Sequence, residues 1–505
     1  MSKSLQQHLP EAQGEFLTHN AGASVLGPRV SSGSILGALV VITALGAWLR
    51  LQELGTFNLW LDEAYSVFFA HMPAGEFWKL MWSREGNMLL YYVFLRSWVH
   101  LGDTEFMLRL SSVQFAVFSI PIIYLLGRDL FGRMEGLIAA ALLSVHMFHV
   151  FLSRQARSYS LLVLLLLLSC WLFLKFTQTA QSRFYLAAYA IVSVLAVYAH
   201  LFAFLVIVSQ WLLLLGTRGR RVGRQRIAAA IALVLVLALP MEAFALLKSK
   251  GQLDWVPALT TSTFLDGVHA LAGYGNKWLS GLYAALAIAA MALGARDDHR
   301  GFALRVVESW LWFPVLAMLL YSVHKPVFYS RFLIICVPAL ILLASYGLVA
   351  MVRRRRRLLW ISAAVFLLAL GMSLLATRRY LRTRTCADWK PATALVVATA
   401  RATDAICFAG TGAEVFLYYM QREKHMPWSA LPKPYYSRGA RCFSNSPEDV
   451  AKADSPYHGA WLIKTDASPE QHRWISELLT SRFGSARPEG SFACPAGKIT
   501  IELLP

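Results

Sequence analysis

Apolar residues fall along this chain in blocks of about 16 to 22 residues, each closed by a short polar or basic run, the length needed to cross roughly 30 Å of hydrocarbon. The blocks lie near 34–50, 108–125, 135–151, 159–174, 184–200, 201–216, 227–247, 278–294, 306–322, 332–351 and 358–376, which predicts eleven spans. The stretch 184–216 makes two spans only if it turns tightly near His200. Between the first two blocks lies a long loop, 51–107. Within it, Asn87-Met88-Leu89-Leu90-Tyr91-Tyr92 opens an amphipathic stretch to His100, too interrupted by Arg96 and His100 to span, which predicts a segment lying in the membrane interface. Trp78, Trp82 and Trp98 suit an aromatic belt at that depth.

From about Arg378 the pattern changes to Pro, Ser and charge, with short apolar runs at Ala405–Ala409, Ala460–Ile463 and Ile499–Leu504 that read as strands. Ser468-Pro469-Glu470-Gln471 reads as a capped helix start. The expected fold is a polytopic α-helical membrane protein of about 11 transmembrane helices with a small C-terminal extracytoplasmic α/β domain. Its expected divisions are a cytoplasmic tail (1–33), a transmembrane catalytic domain (34–377) that includes the loop 51–107, and the outer domain (378–505). No internal repeat is visible, so a transporter built from inverted repeats gains no support.

Composition agrees with a bilayer: 57% of residues are hydrophobic and 15% charged. A net charge of +19 would point a soluble protein toward nucleic acid, but here the arginines sit in short loops between apolar blocks. Loops 125–135, 174–184, 216–227, 294–306 and 352–358 hold 17 Lys and Arg in 54 positions, against 10 in 104 for loops 51–107, 152–158, 248–278 and 323–331. The threefold difference in density puts the first set, with Arg353–Arg357, in the cytoplasm. The N-terminus is then inside and the C-terminal domain periplasmic or extracellular, in a multi-pass inner (plasma) membrane protein. Residues 1–33 lack the core and cleavage site of a secretory signal, so the first span reads as an uncleaved signal-anchor. Cys170 and Cys336 lie in spans. Cys386, Cys407, Cys442 and Cys494 lie in the outer domain, as free thiols or in one of three disulfide connectivities.

Chemistry-bearing residues gather on the outer side. The loop 51–107 carries Trp60-Leu61-Asp62-Glu63-Ala64-Tyr65, where one of two adjacent carboxylates can act on a substrate while the other orients it; an ordinary solvated acidic dipeptide looks the same in sequence. Ser153-Arg154-Gln155-Ala156-Arg157-Ser158-Tyr159 joins the third and fourth spans. Its arginines share a helix face if the helix continues, and guanidinium forks match phosphate oxygens. Arginines at helix ends also snorkel to lipid phosphates. His200, Lys325 and Arg331 occupy outer ends of spans, as candidates for substrate contact or as interfacial anchors. His146 and His149 are spaced as a metal pair with no carboxylate near in sequence, so a divalent metal has no support. Gly-rich phosphate loops, nucleotide fingerprints and a Gly-x-Ser-x-Gly elbow are absent, which favours a lipid-linked activated substrate over a cytoplasmic nucleotide.

The acidic pair in the first outer loop, the tyrosine-rich amphipathic segment, the Arg-x-x-Arg-x-Tyr loop and the Arg-bearing loop before a Pro-containing span together resemble the GT-C membrane glycosyltransferases. The branch is the bacterial one similar to protein O-mannosyltransferases and lipid A aminoarabinose transferases. Arg109-Leu110-Ser111, Gly127 to Gly132 and Asp388-Trp389-Lys390 also fit that branch, and the resemblance covers about residues 35–350. It implies transfer of a hexose or pentose from a polyprenyl-phosphate donor to an acceptor protein, lipid or glycan on the outer face, without a nucleic-acid partner; no cofactor is certain, and a divalent metal stays open without support. Asp62 matches the family's general base and Glu63 supports it. Arg154, Arg157 and Arg331 are the candidates for the donor phosphate, and Asn87, Tyr91, Tyr159, His200 and Lys325 for the rest of the substrate. Asn87, Met88 and Leu89 stand where many relatives carry consecutive prolines. The Trp-Trp-Asp motif of oligosaccharyltransferases is absent, which argues against en bloc transfer to asparagine. A transporter or flippase of lipid-linked substrates and an inactive assembly partner are the rival readings.

Overall fold

The structure, a computed structural model, describes residues 31–504 apart from 180–181, 217–221, 249–250, 252, 275–276, 295–300, 384–387, 402, 432–440, 445–458, 466–472, 474–475, 478, 482–483 and 495–496. Nearly all of the expected cytoplasmic tail, Cys386 and the expected helix start at 468–471 fall outside the described residues.

The helical part begins with α1 (Ser32–Leu51), whose N-terminus is capped by Ser31 through its bond from the Ser34 N–H. The long loop folds into α2 (Leu61–His71), α3 (Ala74–Leu80), a short π turn and a 3₁₀ turn through Met88, then α4 (Leu89–Trp98). Of the expected belt tryptophans, Trp78 and Trp82 are exposed, whereas Trp98 is tied inward by an Nε1–H bond to the Met107 carbonyl.

Helix α5 (Glu105–Leu130) leads to α6 (Arg133–Val145) and α7 (Met147–Ser153), followed by α8 (Tyr159–Gln178), α9 (Arg183–Ala199), α10 (Ala203–Gly216) and α11 (Arg224–Leu247). Helices α12 (Thr261–Ala272), α13 (Lys277–Gly294) and α14 (Gly301–Ser322) precede a 3₁₀ turn, Ser330–Cys336. That turn feeds α15 (Val337–Arg354), and α16 (Leu359–Arg382) closes the set. Pro338 sits in the first turn of α15, where its missing N–H costs no helical bond.

Eight helical segments among the described residues are long and apolar enough to cross a membrane, and the bent pair α6–α7 makes a ninth; α9 and α10 are shorter apolar helices. The chain is a multi-pass membrane protein. Its centre is α15, whose apolar length is buried, while α1 and α16 leave most of their surface exposed. Close helix crossings depend on glycine: a Cβ on Gly127 of α5 would lie 2.8 Å from the Gly136 Cα of α6, and one on Gly347 of α15 would lie 2.6 Å from the Leu286 carbonyl of α13.

One expected span is not continuous. The block 135–151 breaks at His146, whose ψ of 110° is extended, and α6 and α7 meet at a 57° bend. A break leaves helix carbonyls without partners, a cost of several kcal/mol each in hydrocarbon. Arg50 of α1 satisfies two of them, donating Nη1 to the Ser144 carbonyl (2.8 Å) and Nη2 to that of Leu143 (3.3 Å), with a further bond to His149 Nδ1.

The C-terminal region is a five-stranded sheet of order β2-β1-β3-β5-β4, formed by β1 (Asp404–Ala409), β2 (Arg441–Ser444), β3 (Gly459–Lys464), β4 (Arg487–Cys494) and β5 (Gly497–Leu504). β1 and β3 are parallel and the other pairs antiparallel. The three apolar runs read as strands are β1, β3 and β5. Cys407 is disulfide-bonded, and the residue across the ladder from it is Cys442. Helices α17 (Trp389–Thr399) and α18 (Ala413–Glu423) lie between this sheet and the membrane-spanning helices. Gly412, at φ 110°, lets the α18 entry pass against the Trp389 ring, which any Cβ there would strike.

The two parts are joined through Asp103. Its carboxylate accepts from Arg422 (2.9 Å) and Trp428 Nε1 (3.1 Å), with His71 Nε2 at 3.4 Å, and the His71 ring stacks on Trp428 at 4.2 Å. Tyr419 accepts from the Leu59 N–H, and Lys390 pairs with Glu105. The His71 contact, with Arg422 and Trp428, outweighs burial and holds the Asp103 carboxyl down at about 2. An ordinary unfolded aspartate titrates near 3.9, so this contribution is full above about pH 4 and disappears as pH falls toward 2. Asp103→Asn should remove on the order of 1 kcal/mol, kept small by the partial exposure of both partners. Hydrogen exchange in α18 should rise in the variant at pH 7 but not at pH 2. Equal protection at pH 7 would count against the latch.

Candidate functional site

Asp62 and Glu63 are adjacent in the first turn of α2 but face different surroundings. The Glu63 side chain is buried and all its lone-pair positions are used. It accepts from the Trp60 N–H (3.0 Å), from Arg109 Nε and Nη2 (2.9 and 2.8 Å) and from the Ala156 N–H (3.0 Å). Arg109, on α5, spends its remaining donors on the carbonyls of Leu54, Phe57 and Asn58. One carboxylate therefore fastens α2, α5 and the loop 154–158 together.

Asp62 points the other way, and about a third of its side chain (36%) stays accessible. Arg331, the second residue of the 3₁₀ turn before α15, donates Nη1 to Asp62 Oδ2 at 2.7 Å. Arg157 donates Nη1 to the Tyr92 hydroxyl (2.9 Å) and, more loosely, to the Asp62 carbonyl (3.4 Å). Burial by itself would raise the Asp62 pKa; Arg157 and Arg331 outweigh it and hold the carboxyl below its usual range. The group is ionised at neutral pH and lies beside two guanidinium groups.

The paired arginines of the sequence do not share a face. Helix α7 ends at Ser153, and 154–158 is loop. Arg154 turns back to α1, donating to the carbonyls of Arg50 (3.0 Å) and Gln52 (2.5 Å), with its guanidinium 6.0 Å from the Tyr380 ring. It caps the C-terminus of α1. Only Arg157 reaches the surroundings of Asp62, and its Nε, shielded from solvent, has no hydrogen-bond partner among the described residues.

The remaining candidates separate likewise. Tyr159 and His200 are buried side by side, ring centroids 6.2 Å apart, and His200 also packs on Phe202 and on Phe332, the neighbour of Arg331. His200 Nδ1 accepts from the Phe202 N–H, which leaves the proton on Nε2. Asn87 accepts from the Leu201 N–H (3.0 Å), so the 3₁₀ turn that replaces a proline pair is pinned to the turn between α9 and α10. Tyr91 is not at Asp62: its hydroxyl bonds Ser111 and Ser112 inside the α4–α5 contact. Its neighbour Tyr92, not singled out in the sequence, holds Arg157. Lys325 is half-buried in the loop before the 3₁₀ turn and makes no ion pair among the described residues. No group of three or more His, Cys, Asp or Glu among the described residues is arranged to hold a metal ion.

Residues 89–243 match the family model for dolichyl-phosphate-mannose-protein mannosyltransferase. No curated protein sequence matches the chain. Among solved structures, ArnT from Cupriavidus metallidurans in the apo state is similar over 92% of this chain and 98% of its own, at 13% identity and a TM-score of 0.59. The same protein bound to undecaprenyl phosphate gives a TM-score of 0.54 at 12% identity over the same shares. An oligosaccharyltransferase from Archaeoglobus fulgidus gives 0.52 at 12% identity over 74% of this chain, which spans 59% of that protein's length. The chain therefore has the GT-C glycosyltransferase fold, and it resembles the protein mannosyltransferases and ArnT.

Proposed function

We propose that this protein is a glycosyltransferase that moves a sugar from a polyprenyl-phosphate donor to an acceptor at the outer face of the cytoplasmic membrane, with Asp62 as general base. The convergence of Asp62, Arg157 and Arg331 carries this reading: an ionised, partly exposed carboxylate lies beside two cations. The undecaprenyl phosphate seen in ArnT, over nearly its whole length similar to this chain, supports a lipid phosphate as donor handle. A disulfide at Cys407 fits an oxidising compartment for the sheet region.

The chemistry is a displacement at the anomeric carbon. Asp62 takes the proton of the acceptor hydroxyl, the oxygen forms a bond to that carbon, and the bond from the carbon to the phosphate oxygen breaks. The electron pair leaves on the lipid phosphate. Arg157 and Arg331 stabilise the charge that gathers there, and Tyr92 keeps Arg157 in place. Arg154 and Glu63 act through position, Arg154 by fixing its loop to α1 and Glu63 by setting Asp62 against that loop. Tyr159, His200 and Asn87 shape the adjoining wall. Tyr91 and Lys325 belong to the same region of the chain, Tyr91 as part of the support beneath Tyr92.

Asp62→Asn should leave a folded, monodisperse protein and lower transfer from a defined polyprenyl-phosphate sugar by about 10²- to 10⁴-fold. Because the Asp62 pKa is depressed, the base stays ionised as pH falls, and the acid limb of kcat/KM should lie below about pH 4, the ordinary aspartate range. Full activity of the variant would refute the base assignment.

Arg157→Ala should weaken binding of undecaprenyl phosphate by about tenfold or more, the worth of a hydrogen bond to a charged group. Unchanged affinity in a titration would remove Arg157 from the phosphate site. For orientation, an alkaline phosphatase fusion placed after Arg382 should be active in cells; a silent fusion would invert the topology.

A further inference from the structure

One guanidinium has two claims on it. The donor reading above, on which this inference rests, assigns Arg331 to the leaving phosphate, yet in the structure Arg331 Nη1 is bonded to Asp62 Oδ2 at 2.7 Å. Two anions on one guanidinium weaken each other's hold, since each reduces the positive charge the other sees. Arg157 does not bond the carboxylate in the structure, although it lowers the Asp62 pKa through its charge. Its Nη1 is committed to Tyr92, and it meets Asp62 only at the backbone carbonyl, at 3.4 Å. Nor can Glu63 take Arg331, because its oxygens are filled by Trp60, Arg109 and Ala156.

We propose that Arg331 is a specificity-determining residue that holds Asp62 until a phosphate at the anomeric position draws the guanidinium away, so that an anionic leaving group frees the base. The geometry of Arg331 permits the exchange. It stands at the start of a 3₁₀ turn rather than inside a helix, about a quarter of its side chain is accessible, and its guanidinium lies 5.8 Å from the Tyr329 ring, an apolar surface along which it can pivot. A sugar without the phosphate leaves the Asp62–Arg331 bond intact and meets a carboxylate of low basicity. Water in the site meets the same carboxylate. The exchange thus couples donor identity to proton abstraction, and it predicts an order in which the donor binds before an acceptor can be deprotonated.

The test is a double-mutant cycle on the full-length protein in detergent or nanodiscs, with undecaprenyl phosphate as the probe and inorganic phosphate as a head-group-only arm. Asp62→Asn should tighten binding of undecaprenyl phosphate by about five- to tenfold when Arg331 is present and by less than about twofold in the Arg331→Gln background. Equal tightening in both backgrounds means simple repulsion through space and overturns the exchange while leaving the donor reading intact. No tightening in either overturns it as well. Failure of the unsubstituted protein to bind undecaprenyl phosphate overturns the donor reading and the exchange together. A second measurement needs no variant. Arg157, Arg331 and Tyr92 face Asp62, Glu85 and Tyr159 act on Arg157 and Tyr92 beside it, and among the described residues only Arg331 bonds the Asp62 carboxylate. The acid limb of kcat, which reports the donor complex, should therefore lie about one pH unit above that of kcat/KM, which reports the free protein. Coincident limbs would overturn the exchange.

Discussion

The buried pair between Glu63 and Arg109 is the constraint on which the rest of the site depends. A carboxylate and a guanidinium withdrawn from water are costly unless every lone pair and proton is used. Here they are: the Glu63 oxygens take four donors, and Arg109 adds three carbonyls of the chain leading into α2. Truncating either partner would leave an uncompensated charge, a loss of about 3–5 kcal/mol. The pair also settles direction. With Glu63 locked against α5 and the Ala156 amide, the helical offset of one residue turns Asp62 outward, toward Arg157 and Arg331.

A second layer of arginines supports this arrangement mainly through backbone carbonyls. Arg50 reaches from α1 to the broken end of α6, and Arg154 reaches from the loop after α7 back to the end of α1. Each cation closes the helix terminus of the other's neighbour, so the loop bearing Arg157 is held at both ends. The loop owes its geometry to these caps and to Glu63, not to a regular element of its own.

What the sequence made legible follows the same physics. Long apolar blocks reveal spanning helices because the bilayer sets their length. The three short apolar runs of the last third became strands for a similar local reason. The break at His146 was not legible, because its flanking carbonyls are capped by Arg50, 93 and 94 positions earlier. The divergence of Arg154 and Arg157 was hidden too. Their spacing suits one helix face, and only the termination of α7 at Ser153 sends them apart. Tyr91 and Tyr92 are consecutive aromatics on a helix apolar on both sides, so pattern alone cannot say which one turns toward Arg157. Asp62 was readable as a residue type in a loop, whereas its ion pair with Arg331 spans 269 positions and appears only in the folded chain.

The broken span also constrains the order of assembly during synthesis. Arg50 leaves the ribosome 93 and 94 residues before the carbonyls it caps, which at about 5–20 residues per second is an interval of several seconds. Through that interval the first helix carries a cation near its end whose partner within the helix is the Gly46 carbonyl, and its long stem lets the charge stay with water and head groups at the interface. Arg50 can move into the protein only when α6 and α7 arrive. The bend cannot be sealed without it, so insertion of the third span and desolvation of the first helix are one event. The first helix is then a late-setting part of the helical scaffold rather than an anchor that could be exchanged for any other apolar segment.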